Sequence, residues 1–590
     1  MKLTHKQGIA ALDAGDFSAA ITYFEAAVRI SPDSGAVRYD LARALHRAGR
    51  EGEAIIQASQ ALARDPGDNS AARLLAYLLC FLRLRNPGEI NPVGLTAAFG
   101  FTNIDHQFLV PMALAYLKQH TALRDALVMA EAHGEDVAAA WLLSPKGKSV
   151  LRDPLLLATL SSAANTDIDI ERLLTALRKA VLVAPARNTL RKPYILEFAR
   201  VLARQSEINE YVFAVSAEEQ DRLDQIFINV EGVRNGSRAA VECLLLRALY
   251  APLWRLLGTE GKNIDGQAIR PKSLGNFIAA HMAERRADAN TAQEIISLGD
   301  IGDTISRNVA LQYEENPYPR WLSLHIPAVG DRKESLSPHF TGEELAFMDA
   351  PYKVLIAGAG TGQQAIDAAL GYGPMAALTA IDISLSSLAY AKRMVAQFGV
   401  TNLQFVLCDI LNAGLLKETF DIIECIGVLH HMDDPWRGWK ALLDTLRPGG
   451  IFKIGLYSRT SRRVIASLRD DIKARNLASN EQTIRAYRQD IIAKGNDGKG
   501  AFLRQSADFY SLSNFRDLMF HVSEQHMTIP EISSFLADNN LTFQGFQVPP
   551  NIAEGHPDGD TAQDLDLWRE FENAHPDTFD GMYVFWCRKG

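Results

Sequence analysis

Cysteine is scarce and scattered. The five residues, Cys80, Cys243, Cys408, Cys425 and Cys587, are odd in number and include no C-x-x-C pair. That excludes a dense disulfide scaffold and a clustered cysteine–zinc site, and it suits a reducing cytoplasm. Long apolar runs are also missing. The longest, LLAYLLCFL at 74–82, is far short of the ~20 residues that cross a bilayer. A buried helix is expected there, and no membrane association. The opening residues MKLTHKQGIAAL hold no apolar core of the kind a signal peptide needs. Basic charge is in deficit, with 61 Lys and Arg against 70 Asp and Glu for a net charge of -9. A field of that sign repels phosphate backbones, so nucleic acid is not an expected partner.

What is present is globular. Hydrophobic residues make up 47% and charged residues 22%, an ordinary balance for folded domains. The 590 residues exceed what one core can organise, since single cores stop growing near ~250–300 residues. Three regions are expected. The first, 1–84, carries an internal repeat. Gly8, Gly15, Ala20, Phe24, Ala27 and Pro32 return 34 positions later as Ala42, Gly49, Ala54, Ala58, Ala61 and Pro66. Small residues let two helices approach closely, the glycines at 15 and 49 suit the turn between them, and the prolines stop the second helix. This pattern resembles tetratricopeptide repeats. A third turn glycine would fall on Arg83, so the stretch after the second repeat reads as a capping helix.

The second region, 85–335, reads as mainly helical. IERLLTALRKAVL at 170–182 has apolar residues at helical spacing. It ends in QYEENPYPRW at 312–321, where two prolines enforce an extended course. Tyr313, Tyr318, Arg320 and Trp321 there form either a lid or strap over a ligand, or a plain linker. The third region, 336–590, changes character. Short β-rich runs alternate with helices: KVLIA, ALTAIDI, LQFVLCD, FDIIECIGVL and GIFKIGLYS, with LTFQGFQV and MYVFWCR as a later pair. Helical crossovers between such runs imply a mostly parallel sheet. Further helices are inserted at about 459–540.

The chemistry concentrates in the third region. In VLIAGAGTG, a buried strand runs into Gly358, Gly360 and Gly362 and then a helix. Glycines let a ligand approach the backbone, and the helix N-terminus that follows favours negative charge. Nicotinamide-binding proteins share such loops but want G-x-G-x-x-G, and Gln363 breaks that spacing. The next strand ends in Asp382, the third in Asp409, and the fourth runs through Gly427 to His430 and His431 before a helix and LRPGG. This ordered set is similar to class I S-adenosylmethionine-dependent methyltransferases. The resemblance implies that Gly358, Gly360, Gly362 and Gln363 line the methionine and ribose portion of S-adenosylmethionine. It places Asp382 with Ile383 at the ribose, Asp409 with Ile410 at the adenine, and Gly427 at the methionine end. Where many relatives carry an acid, two positions before the first glycine, this chain has Ile356.

The expected architecture is therefore multidomain: an all-α N-terminal part and a Rossmann-like α/β methyltransferase domain. The motif Asn316-Pro317-Tyr318-Pro319 is similar to the Asn-Pro-Pro-Tyr of exocyclic-amine methyltransferases, but it precedes the first strand instead of following the fourth. That function is not carried over. Catalytic candidates are His431, Tyr313 and Tyr318. His430-His431 serves either as a base or only to shape its loop. Methyl transfer is an in-line displacement, and it needs a base only when the acceptor carries a proton at neutral pH, as lysine does. Substrate candidates are Arg320 and, on the segment DFYSLSNFRDLMFHVSEQH at 508–526, Tyr510, Arg516, His521 and His526. No metal is expected, because His521, Glu524 and His526 have no further ligand cluster around them. Helical arrays commonly bind peptides, so a protein or peptide acceptor is expected. A small-molecule methyltransferase whose repeats make a homo-oligomer, and a non-catalytic scaffold, both stay open.

Overall fold

The computed structural model describes the chain except for residues 1, 184–188, 316, 320, 325–329, 331, 496, 497, 499 and 549–551. Contacts divide it into two compact units. One comprises Met1–Arg285, Leu322–His325 and Arg485–Leu512, and the other Arg286–Trp321, Ile326–Ile484 and Ser513–Gly590.

The first unit is helical. It begins with Lys2–Asp13, Phe17–Ile30, Gly35–Arg47, Glu51–Arg64 and Asn69–Phe81, the last lying where a capping helix is expected. Gly15 and Gly49 turn between successive helices at φ of 78° and 73°, a region that penalises a Cβ. Gly8 is needed for a different reason: a Cβ there would meet the Phe24 ring at 2.6 Å. Asp16, Ser34 and Asp68 cap the helices that follow them, satisfying N–H groups that would otherwise lack partners. Later in the unit, Ile168–Val183 presents Glu171 to Arg488, which donates to both carboxylate oxygens at 2.5 and 2.6 Å with the pair fully buried.

The second unit holds an eight-stranded sheet. Its strands are β1 (Ile296–Leu298), β2 (Tyr352–Ala357), β3 (Ala376–Asp382), β4 (Leu403–Cys408), β5 (Phe420–Ile426), β6 (Leu446–Tyr457), β7 (Leu541–Phe546) and β8 (Met582–Lys589). The order is β1-β4-β3-β2-β5-β6-β8-β7. Pairing is parallel from β1 through β6, and β8 runs antiparallel to β6 and β7. The chain winds outward from β2 to β4 and then crosses to β5. That reversal opens a crevice at the carboxyl ends of the strands, where such folds bind ligands. Buried Ile356, Ile381, Ile423 and Ile454 show why the strands read as apolar runs: both faces of the sheet are covered.

These contacts run differently from the boundaries expected at 84 and 335. Residues 286–321 join the sheet unit, and β1 within them pairs with β4 at the sheet edge. A three-residue strand is too short to show alternation in a sequence that otherwise reads as helix. The region expected as one insertion, 459–540, is likewise divided, with 485–512 belonging to the helical unit.

Candidate functional site

A cavity of about 310 Å³ opens at the carboxyl ends of β2 to β6, within the size range of small-molecule sites. Gly358 and Gly360, at φ of 77° and 50°, form one wall. A Cβ on Gly358 would meet Val428 Cγ2 at 2.3 Å, and one on Gly360 would meet the Tyr318 carbonyl oxygen at 2.5 Å. Gly362 does not line the cavity, a correction to the expected glycine cradle. It starts the helix Gln363–Tyr372 at φ 87°, where a Cβ would meet Ala391 Cβ at 2.5 Å. Its smallness serves helix packing. Gln363 does line the cavity, as do Asp382, Ile383, Asp409, Ile410 and Gly427.

The two acids are held differently. Asp382 Oδ2 accepts from the Gly360 N–H at 2.7 Å, and Oδ1 accepts from the Ser384 N–H at 2.9 Å. It therefore shapes the glycine loop as well as facing the cavity. Burial pushes its carboxyl up, against these backbone hydrogen bonds. Asp409 Oδ1 accepts from the Leu411 N–H at 2.9 Å, while buried Oδ2 has no partner in the protein. Burial pushes this carboxyl up as well. An orphaned acceptor costs free energy unless a ligand supplies a donor, and an exocyclic amine is such a donor. Glycine walls that exclude a Cβ and an unpaired carboxylate oxygen together fit a nucleoside-bearing cofactor.

The segment before β2 lies on the glycine loop. The Thr361 N–H donates to the Tyr318 carbonyl at 3.2 Å, the Thr361 hydroxyl donates to the Pro319 carbonyl, and the Trp321 indole donates to the Thr361 carbonyl at 3.1 Å. Tyr313, on the helix Thr304–Glu315, and Tyr318 stack at 6.2 Å and both line the cavity. These contacts tie the described residues of this segment to the glycine loop. Asn316 and Arg320 lie outside the described residues.

Across the sheet from Asp409, on the β5–β6 side, His431 and Asp517 line the same cavity, with His521 behind them. His431 Nδ1 and His521 Nδ1 stand 2.9 and 2.6 Å from the Ser523 carbonyl. A carbonyl only accepts, so His431 Nδ1 carries hydrogen and its Nε2 the lone pair, whereas His521 Nδ1 stands between this carbonyl and the Ser523 N–H, which donates to it at 3.1 Å. The two rings stack at 3.7 Å. The Tyr313 hydroxyl lies 2.8 Å from Asp517 Oδ1 and 3.1 Å from His521 Nε2. Burial drives the two imidazoles down, His431 to about 4 and His521 in the same direction. Burial pushes the Asp517 carboxyl up to about 6. His431, Asp517 and His521 bring ligand atoms within 4.8 Å of one another, the one such group among the described residues. Sequence reading weighed His521 with Glu524 and His526 instead. Those two pair with each other at 2.6 Å, and Arg462 donates twice to Glu524. Burial opposes ionisation of Glu524, but these partners outweigh it and hold the carboxyl at about 2.

Other expected residues lie elsewhere. Tyr510 belongs to the helical unit and donates to the Arg504 carbonyl at 2.8 Å. Arg516 pairs with Glu315 and donates to Ser479 Oγ, and neither Arg516 nor His526 lines the cavity. The His430 ring is fully buried, has no hydrogen-bond partner and stacks on Tyr457 at 3.6 Å, while His431 lines the cavity. Asp517 is not among the expected residues, although it sits on the helix Leu512–Phe520, four positions before His521. Nor are Gln364 and Tyr457, which no motif marks.

Comparison with known proteins assigns two segments of the chain to families. Residues 349–512 match the family described as methyltransferase domain, and residues 11–78 match the tetratricopeptide repeat. An uncharacterized protein of Synechococcus sp. is 30% identical over 290 residues, covering 46% of this chain and 68% of that protein. The chain belongs to the class I S-adenosylmethionine-dependent methyltransferases. Among other relatives of this methyltransferase, a tRNA U34 carboxymethyltransferase of Desulfotalea psychrophila is 34% identical over 59 residues, 10% of this chain and 18% of that protein. The structure of PKMT2 from Rickettsia typhi aligns with a TM-score of 0.35 at 16% identity, covering 46% of this chain and about half, 54%, of that one. No helix among the described residues of the methyltransferase is long and apolar enough to cross a membrane.

Proposed function

We propose that the chain methylates a side chain of a protein or peptide, recruited through its N-terminal repeats, and that the acceptor atom is an amine nitrogen. The cofactor supplies an electrophilic methyl group. Gly358, Gly360, Gln363 and Gly427 border its methionine and ribose portion, Asp382 and Ile383 hold the ribose, and Asp409 and Ile410 frame the adenine. Domain limits near 84 and 335 belong to the same reading.

The observation that carries the acceptor class is the Asp517–Tyr313–His521 hydrogen-bonded chain beside His431. Carboxylates reach a transferase already deprotonated, whereas an alkylammonium must lose a proton before its lone pair can attack. The Tyr313 hydroxyl has one hydrogen and two neighbours, Asp517 Oδ1 at 2.8 Å and His521 Nε2 at 3.1 Å. Of these neighbours, His521 is a poor proton acceptor, because burial holds it neutral. Asp517 is the better one, its carboxyl raised to about 6 by burial and thus near a working range. The Tyr313 oxygen takes the proton from the acceptor nitrogen as its own hydrogen passes to Asp517 Oδ1. His431 and Tyr318 position the acceptor without taking the proton.

The test uses methyl-labelled S-adenosylmethionine and lysate of the source cell, with Asp382→Ala as control. Label in protein, located on an amine by mass spectrometry, is the expected outcome. Label confined to small molecules would favour a small-molecule enzyme whose repeats drive self-association. No label above control, with the cofactor still bound, would favour the scaffold.

A further inference from the structure

β5 carries a charge that the sheet does not need. Glu424 sits mid-strand, 3% exposed, between Ile423 and Cys425 at 0%. A lone buried carboxylate is costly, so its partners reveal its use. The Tyr372 hydroxyl donates to Oε1 at 2.6 Å, and Gln364 Nε2 donates to Oε2 at 2.9 Å. Burial opposes ionisation, but the charges of Lys453 and Arg332 with these hydrogen bonds outweigh it and hold the carboxyl below its usual range. Lys453 is its register partner on β6, and Ile356 its register partner on β2. Neighbours in register share a face of the sheet, and Ile356, two residues before Gly358, brings no polar atom there.

Gln364 connects this charge to the cavity. It occupies the first turn of Gln363–Tyr372 and lines the wall beside Gly358. A glutamine amide has one face that donates and one that accepts. A carboxylate only accepts, so Glu424 fixes the NH₂ toward itself and leaves Oε1 as the acceptor presented to a ligand. An amide carbonyl polarised by a carboxylate behind it suits a cation. Beside the glycine loop, the cation-bearing donor of this cofactor is the α-ammonium of its methionyl part.

We propose that Gln364, oriented and polarised by Glu424, receives the α-ammonium of the cofactor, so that β5 provides from the neighbouring strand the acid that β2 lacks. This rests on the placement of the cofactor at the glycine loop. Glu424 is a positioning residue and Gln364 a binding one.

The test is calorimetric titration of the full chain with two ligands. S-adenosylhomocysteine carries the amino-acid group, and 5′-methylthioadenosine has the same nucleoside without it. Gln364→Leu should weaken S-adenosylhomocysteine roughly tenfold to a hundredfold, the range of one hydrogen bond to a charged group. It should leave methylthioadenosine within about twofold, which also certifies the fold. Glu424→Gln keeps an acceptor for Gln364 but removes the charge, and it should produce a smaller loss on the same ligand alone. Equal losses on both ligands, or no loss on either, would overturn the proposal. If Asp382→Ala leaves both affinities unchanged, the cofactor placement falls, and the proposal with it.

Discussion

Asp382 offers the sharpest perturbation, because its carboxylate has two duties. Both oxygens already accept backbone N–H groups, from Gly360 at 2.7 Å and Ser384 at 2.9 Å. Each oxygen keeps a second lone pair for a ribose hydroxyl. Replacement by alanine removes two charge-assisted hydrogen bonds to ligand at ~1.5–3 kcal/mol each. Taking the lower figure for both gives about 3 kcal/mol, or roughly a hundredfold in affinity. Asparagine, the usual conservative choice, is not benign here. Its NH₂ must face one of the two backbone N–H groups, leaving that donor unpaired at a cost of ~1–3 kcal/mol. Calorimetric titration with S-adenosylhomocysteine should therefore show roughly a hundredfold loss for Asp382→Ala. For Asp382→Asn it should show a loss closer to tenfold, together with a lower thermal midpoint. A variant that unfolds at the wild-type temperature and binds within about threefold of wild type would refute the placement of the ribose.

Three further outcomes are expected. Activity should rise with pH through about 6 as Asp517 ionises, and Asp517→Asn or Tyr313→Phe should lower kcat by ~10²-fold or more and flatten that rise; an unchanged pH–rate profile would remove the relay. The raised Asp517 carboxyl also sets a stability trend. Between its ordinary value and about 6 the folded chain keeps a proton that the unfolded chain has released, so this group's contribution is complete at low pH and is lost as pH rises through about 6. Asp517→Asn should accordingly raise the denaturation midpoint at pH ~8 relative to wild type but not at pH ~4; equal shifts at both would contradict it. In the helical unit, Glu171→Ala strands the fully buried Arg488 guanidinium and should cost ~3–5 kcal/mol in chemical denaturation, whereas a cost below ~1 kcal/mol would mean that water reaches the site.

The class of both parts is legible in the residues alone. A 34-residue period with turn glycines at 15 and 49 depends on neighbours along one helix pair, and such local constraints survive in a linear reading. The same holds for VLIAGAGTG, where strand, turn and helix follow one another, and for Asp382 and Asp409, which close their own strands. Of the nine residues named from the cofactor motifs, Gly358, Gly360, Gln363, Asp382, Ile383, Asp409, Ile410 and Gly427 line the cavity, as do Tyr313 and Tyr318 before β2. Gly362, the ninth, has the right residue for a different reason, the approach of Ala391.

The contacts that no linear reading reaches join residues far apart in the chain. Tyr313 meets Asp517 across 204 positions, Glu171 meets Arg488 across 317, and Glu424 stands beside Ile356 because β2 and β5 pair. No periodicity encodes such partners. They follow from strand order, and strand order is set by how crossover helices cover the sheet, not by any short run of residues. The three-residue strand β1 shows the same limit from the other side. Its identity as a strand comes from the free edge of β4, a feature that exists only once the sheet has formed.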